Sequence, residues 1–429
     1  MPVKDLVRLT ALLAGSNVLT KLAAMGFVVL LAKATSVQDF GTFRYLLTLS
    51  FLCALFVTGV ATPLTRSVGA HTGEPEAVAS YFGGALAITV PSFAVVALVI
   101  SATSANPVLL TLLLYAATVD TLYIAYVRGL LSRGKMAGYK LLANLTLVAL
   151  LAGGYLVFHR IALVWVVLLY SLAGTCSLVA LECSERTIHL PRQGVLSKAR
   201  ELINFSVLAT VANIGTTVMF TINTLWINRF AGKEQVAYYG VAESVAVVFT
   251  LLPEAVAAIA IPKAAALKDR SAVGGSLLWV TAGCAVGSLV LLAPLFLFQR
   301  FLISTLFTDA YLPAMQFTLP LALANTAVGL HLVYSAIYYG FNRPRVPTVT
   351  ITTGAAMNVC VGWVLTARFG ALGTAWSYAA TGFAMLALMM VIFHVQHGRG
   401  ARTDKTTGGR ASGGGAPVPE GASASWIPS

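Results

Sequence analysis

The chain has 429 residues, 58% of them hydrophobic and only 10% charged, with a formal net charge of +13 at neutral pH. Soluble domains carry about a quarter charged residues, so a soluble enzyme and a soluble nucleic-acid-binding domain are both excluded. A mean hydropathy of +0.84 indicates an all-α polytopic membrane protein, and its positive charge reads as loop charge that orients the chain in the bilayer.

About 20 apolar residues are needed to cross the hydrocarbon core. That criterion predicts about twelve spans, near residues 10–34, 45–65, 80–102, 107–127, 139–158, 161–182, 203–228, 237–260, 275–298, 314–338, 347–367 and 371–393. The first apolar run is long and ends in no small-residue cleavage site, which predicts a retained transmembrane helix rather than a cleaved signal.

The opening stretch Gly15–Tyr45, an apolar helix and a polar turn, recurs at Val211–Val241 with an offset of 196 residues, Asn17 falling on Asn213. At that offset Thr20 falls on Thr216, Lys21 on Thr217, the turn Ser36–Asp39 on Gly232–Gln235, and Phe43 on Tyr239. Internal repeats of this kind are common in transporters, with the substrate path at the repeat interface.

Loop charge tests the topology. With the N-terminus in the cytoplasm, 20 of the 28 Lys and Arg residues fall on the cytoplasmic side and seven on the other, Arg44 among the seven. Lys21 alone is left inside the membrane. The asymmetry satisfies the positive-inside rule with both termini cytoplasmic.

The expected organisation is an N-lobe of helices 1–6 over residues 1–182 and a cytoplasmic amphipathic linker over 183–202. A C-lobe of helices 7–12 follows over 203–393, and then a disordered cytoplasmic tail over 394–429, rich in Gly, Ser, Thr and Pro. The linker reads as a solvated, lipid-facing segment, with docking of a partner as the alternative.

Ionisable residues at membrane depth are costly and face a cavity or a partner. Lys21 shares a helical face with Asn17 and Thr10, a stripe that meets either an anionic headgroup or a buried acidic partner. In span eight, Glu243 and Glu254 lie about three turns apart with Thr250 on the same stripe. Either glutamate pairs with Lys21 or binds a proton or Na⁺. Pro253, beside Glu254, predicts a kink. Asp120 in span four is a second candidate partner or proton site. Span seven carries Asn213, Thr217, Thr221 and Asn223, and span ten carries Asn325, His331 and Ser335. These polar residues line a cavity or hydrogen-bond between helices.

No phosphate-cradling GxxxxGK[ST] loop, nucleophile–base set or metal-ligand spacing occurs. The cysteines Cys53, Cys176, Cys183, Cys284 and Cys360 are scattered. No catalytic residue, metal or cofactor is therefore expected.

Five segments carry a family resemblance. LLAKATSVQDFGTFRY is similar to the opening hairpin of bacterial lipid-linked oligosaccharide flippases, and RFAGKEQVAYYGVAES to the equivalent place in their second half. ISTLFTDAYLPAMQFTLPLALAN, MNVCVGWVLTARFGALGTAWSY (Asn358, Gly370, Gly373) and the basic loop Arg128-Gly129 to Lys135 resemble later segments of the same family. The resemblance places the chain in the multidrug/oligosaccharidyl-lipid/polysaccharide exporter superfamily.

It implies two six-helix pseudo-symmetric lobes around a central cavity. It also implies alternating-access flipping of polyprenyl-pyrophosphate-linked oligosaccharide across the inner membrane, in company with membrane lipid, a polysaccharide polymerase and glycosyltransferases, and without nucleic acid. The expected substrate residues are Lys21, Asn17, Asn213, Thr217, Asn223 and Asn325. Asp120, Glu243 and Glu254 are the candidates for ion coupling. Related sequences often carry an acid where Asn223 stands, so coupling through that position is in doubt. The rival readings are a cation-coupled drug or metabolite antiporter and, more remotely, a membrane polysaccharide polymerase or ligase.

Overall fold

The computed structural model describes residues 3–71, 73–130, 133–185, 194–266, 273–341 and 343–407. The first half comprises α1 (Val3–Ala34), α2 (Val37–Val57), α3 (Ala61–Ala70), α4 (Pro75–Thr103), α5 (Pro107–Gly129), α6 (Arg133–Phe158) and α7 (Leu163–Glu185). The second comprises α8 (Val195–Phe230), α9 (Lys233–Ala246), α10 (Val248–Ala266), α11 (Val273–Leu306), α12 (Met315–Gly340) and α13 (Arg345–Thr407), with a short 3₁₀ turn at Asp309–Ala314. There is no strand among the described residues.

Several helices are broken, which bears on the number of crossings. α9 and α10 form one broken span, bent by 46°, and α2, long and apolar enough to cross alone, is followed after three residues by the short α3. α13 is two helices meeting at Gly370, whose φ of 60° lies in the left-handed region that favours glycine. Thr366 and Thr374, four residues to either side, hydrogen-bond through their hydroxyls at 2.7 Å, so the chain reverses there. A Cβ on Gly373 would lie 2.1 Å from the Leu365 carbonyl oxygen, which is why that turn tolerates no side chain. With α1 and α8 taken as crossings and α3 as the continuation of α2, each half has the six crossings that the apolar runs predict. Leu98, Leu297, Phe301 and Trp279 are exposed on the outer faces, where lipid is the apolar solvent.

The structure changes four boundaries. α2 starts at Val37 rather than near residue 45, because Ser36 caps it: its hydroxyl accepts from the Asp39 amide at 3.1 Å. Arg44, expected in an external loop, is therefore two turns inside a helix. The bend in span eight falls at Val247, not at Pro253. A proline cannot donate to the carbonyl four residues back, and so it weakens the turn before it. α8 begins at Val195, inside the expected linker, while residues 186–193 lie outside the described residues. α13 continues to Thr407, past the expected end at 393, and residues 408–429 lie outside the described residues.

Three apolar cores show how the halves meet. One cluster joins Phe40, Phe43 and Leu46 of the first half to Tyr239, Tyr311 and Phe317 of the second. It sits at the end of the molecule that carries the Ser36 and Gly232 turns, called the turn end below. Towards the opposite end the cores separate. One contains Leu64, Val68, Tyr81 and Tyr126, and the other Leu277, Val333, Tyr334 and Phe393. Two six-helix lobes thus share one core at the turn end, while towards the other end each keeps its own core and only the start of α8, with Leu202 in the first-lobe cluster, joins them.

Candidate functional site between the lobes

At the turn end α2 lies directly on α9. A Cβ at Gly41 would stand 1.9 Å from the Lys233 carbonyl oxygen and 3.4 Å from the Ala237 amide nitrogen, so only glycine permits this approach. One turn along, the Arg44 guanidinium fills the space left by Gly240, where a Cβ would lie 2.8 Å from Nε. Arg44 then pairs with Glu243. Phe40 meets the edge of Tyr311 at a 5.8 Å ring separation, and Lys33 donates to the Thr305 carbonyl at 3.1 Å.

Deeper in the membrane the lobes are joined by a second ion pair. Lys21 of α1 donates to Glu254 Oε1 and to Thr250 Oγ1, both at 2.6 Å. The Thr250 hydroxyl in turn donates a hydrogen bond to the Val247 carbonyl at 2.9 Å, at the bend of span eight. The pair is partly screened, its side chains being 26% and 31% exposed. In both pairs the cation comes from the first lobe and the carboxylate from the second.

Towards the opposite end, where the cores separate, a cavity of about 490 Å³ lies between α2, α3, α5 and α6 on one side and α8 on the other. Asp120, Arg128 and Lys140 line it from the first lobe, with Thr58, Thr62 and Thr65. Asn213, Thr216, Thr217 and Thr221 line it from α8. Asn213 Nδ2 donates to Thr62 Oγ1 across the gap at 3.0 Å. Two cations face one carboxylate there, a net positive charge that attracts anions, and the threonine hydroxyls with the Asn213 amide offer hydrogen bonds.

The expected site residues thus divide. Asn213, Thr217 and Asp120 share this cavity. Lys21, Glu243 and Glu254 are engaged in the cross-lobe pairs. Asn223 lies elsewhere, buried in the second lobe, where Asn358 Nδ2 donates to its Oδ1 at 3.0 Å and to the Met219 carbonyl at 3.0 Å. Asn325 is buried within α12 and is not a lining residue of the cavity. The side chain of Asn17 lies outside the described residues. Arg44, Arg128 and Lys140 were missed as site residues because each was counted as loop charge. The signal was present for Arg44 in the Ser36-x-x-Asp39 cap, which starts the helix early enough to enclose it.

At the far end of α8, Tyr81 donates to Glu201 at 2.7 Å and Lys198 reaches both groups, at 3.0 and 3.1 Å. The hydrogen bond from Tyr81, reinforced by Lys198, holds the Glu201 carboxyl below the usual carboxylate range. This cluster ties the start of α8 to the first lobe. Among the described residues no group of three His, Cys, Asp or Glu side chains is placed to hold a metal ion.

Residues 6–263 match the family described as "Polysaccharide biosynthesis protein". No curated protein matches the chain in sequence. Among solved structures, the chain is similar to a lipid II flippase, MurJ, in an inward closed conformation, with a TM-score of 0.71 at 13% identity over 90% of this chain and 87% of that one. It is also similar to a multidrug-resistance MATE transporter in an inward-facing conformation, with a TM-score of 0.67 at 10% identity over 90% and 96% of the two chains. The outward-facing conformation of a MATE transporter gives a TM-score of 0.59 at 13% identity, covering 93% and 97%. At these identities the likeness is one of fold.

Proposed function

Because the chain belongs to the polysaccharide biosynthesis protein family, we propose that it is a transporter, not an enzyme, and that it flips polyprenyl-pyrophosphate-linked oligosaccharide units across the bacterial inner membrane. The product would feed surface polysaccharide assembly, where a polymerase and glycosyltransferases act on the same lipid carrier. With both termini cytoplasmic, as the loop charges imply, the turn end faces outward and the cavity faces the cytoplasm.

The observation that carries this reading is the chamber itself: Arg128 and Lys140 oppose a single carboxylate, Asp120, in a space of about 490 Å³ between the lobes. The pyrophosphate is drawn in by the two cations, in a setting where a low dielectric strengthens the attraction. The sugar is hydrogen-bonded by Asn213, Thr217 and the neighbouring hydroxyls, and the prenyl chain stays in lipid. Lys21 is held by Glu254 in this state. It becomes available to the headgroup only when the lobes part at the turn end, so it serves the outward-open state. Alternating access then consists of breaking the turn-end contacts while the opposite end closes.

A cation-coupled drug or metabolite antiporter is the second reading, favoured by the fold shared with MATE transporters. The sign of the cavity opposes it, since an organic cation is repelled by Arg128 and Lys140. The test is complementation of a strain lacking this protein with an Arg128→Ala/Lys140→Ala variant present at normal level in the membrane. Surface polysaccharide falls at least about tenfold, the equivalent of roughly 1.4 kcal/mol. Full restoration by that variant rejects the anion site. Drug resistance on overexpression with unchanged surface glycans favours the antiporter.

A further inference from the structure

Exposed aromatic rings on the outer faces of the protein meet lipid, but Phe51 of α2 and Phe220 of α8 are exposed inside the chamber. They line it from opposite lobes, 40% and 43% exposed. Phe51 also lines a second cavity of about 260 Å³ within the first lobe, so open space reaches its ring from two directions. Phe220 is braced from behind by the buried Tyr378, the two rings meeting edge to face with centroids 6.5 Å apart and planes at 73°. A bare apolar ring in a charged chamber forgoes the free energy of burial. Such a surface marks a place that a ligand covers.

Two contacts between the lobes fix the level of these rings. Gly41 of α2 packs against α9 near Ala237 at the turn end, and Thr62 of α3 is joined to Asn213 of α8 further in. Phe51 and Phe220 both fall between these contacts along the chain, Phe220 standing about 10 Å from Asn213 along α8. Arg128 lies on the far side, level with α3, where a Cβ on the adjoining Gly129 would be 2.8 Å from the Thr65 carbonyl oxygen. The chamber therefore has a cation at the end away from the turns and aromatic rings at its deep end.

The surroundings of Phe220 show what would cover it. Thr216, Thr217 and Thr221 lie within one turn of it on α8 and line the same chamber. A hexopyranose ring has a face of polarised C–H groups, which rests on the negative face of an aromatic ring, and a rim of hydroxyls. Phenyl and threonine side by side match both. A prenyl chain has no use for the hydroxyls, and a phosphate none for the rings. At about 490 Å³ the chamber is of the size that takes a small ligand, so it holds the sugar next to the pyrophosphate rather than a long oligosaccharide.

We propose that Phe51 and Phe220 form a sugar platform, on which the hexopyranose joined to the pyrophosphate lays its C–H face while the α8 threonines take its hydroxyls. The platform rests on the anion-site reading above and adds to it a means of telling a loaded carrier from a bare one. Because its two rings belong to different lobes, the rocking that opens the turn end separates them and releases the sugar.

The test is binding of two probes to the full-length protein in nanodiscs: undecaprenyl pyrophosphate, and the same carrier bearing one N-acetylglucosamine. The wild type binds the sugar-bearing probe about tenfold more tightly, the scale of a few aromatic contacts. Phe51→Leu and Phe220→Leu, which keep apolar volume and remove the ring, lose that preference and bind the bare carrier as the wild type does. Phe220→Trp keeps it, which separates the aromatic face from packing and covers the case in which a leucine variant does not fold. Equal weakening of both probes in the leucine variants assigns the rings to the prenyl chain or to the fold and overturns the platform. So does a wild type with no preference, or a preference that survives in both leucine variants; the anion site then still stands. Failure of the wild type to bind either probe overturns both.

Discussion

The two opening hairpins, α1–α2 and α8–α9, have the same shape and different charges. Near an internal two-fold axis a side chain faces its own counterpart from the other half. Gly41 meets Ala237 and Arg44 meets Gly240, and both are pairs at the 196-residue offset. A duplicated arginine at that place would confront another arginine in a low dielectric, at a cost that rises steeply as the separation shrinks. The chain avoids this by keeping the cation in one copy and glycine in the other, and by setting Glu243 one turn further on, where the first copy has Leu47. Lys21 is likewise a charge in one copy only, Thr217 standing at the matching position of the other. The comparison teaches that a shared backbone plan needs unlike charges at its seam, and that this difference lets the halves bind each other.

The largest break in the comparison comes from Gly41. A leucine there must push against the Lys233 backbone, which cannot rotate away, so Gly41→Leu lowers stability by about 3 kcal/mol or more. The reverse change at its counterpart, Ala237→Gly, costs only about 1 kcal/mol. Thermal unfolding in detergent, followed by size-exclusion chromatography, measures both. Equal losses would mean that the close approach at Gly41 does not distinguish the two copies.

A middle effect is expected at Arg44. Glu243→Gln leaves a half-buried guanidinium without its carboxylate and costs about 1–3 kcal/mol, reduced from the fully buried case by the partial exposure of the pair. The double variant Arg44→Leu/Glu243→Leu recovers most of that loss, because apolar packing replaces both charges. A double variant no more stable than the single one would show that the charges, rather than the packing, hold α2 to α9.

The smallest stability effect sharpens the role of Lys21. The swap Lys21→Glu/Glu254→Lys preserves an ion pair across the lobes and changes stability by less than about 1 kcal/mol. Surface polysaccharide is nonetheless lost, because the cation now belongs to the wrong lobe for the headgroup. Normal surface polysaccharide in the swapped strain would reduce Lys21 to a clamp.

Much of this was legible in the residues. Apolar run length pointed to the number of crossings, the offset repeat pointed to two lobes, and Glu254 was one of three carboxylates, with Glu243 and Asp120, offered as a partner for Lys21. What escaped was depth. An apolar window starts where polar residues stop, whereas a helix starts where its cap is, so α2 began eight residues early and carried Arg44 inside. Asn213 and Asn223 sit on one helix and are alike in chemistry. Yet the first opens onto the chamber, while the second is held by Asn358, 135 positions along the chain. Sequence spacing places both on α8 but does not say which neighbour each will meet. Arg128 and Lys140 looked like orienting charges until the chamber wall was assembled from five helices.

The reversal at Gly370 bears on how the protein is made. Two antiparallel helices joined by a single residue, with Thr366 and Thr374 already bonded across the bend, form contacts that are local in sequence. Such contacts need little loop closure. The last two crossings can leave the ribosome and enter the bilayer as a pre-formed hairpin, their polar groups satisfied by each other before the rest of the second lobe closes around them.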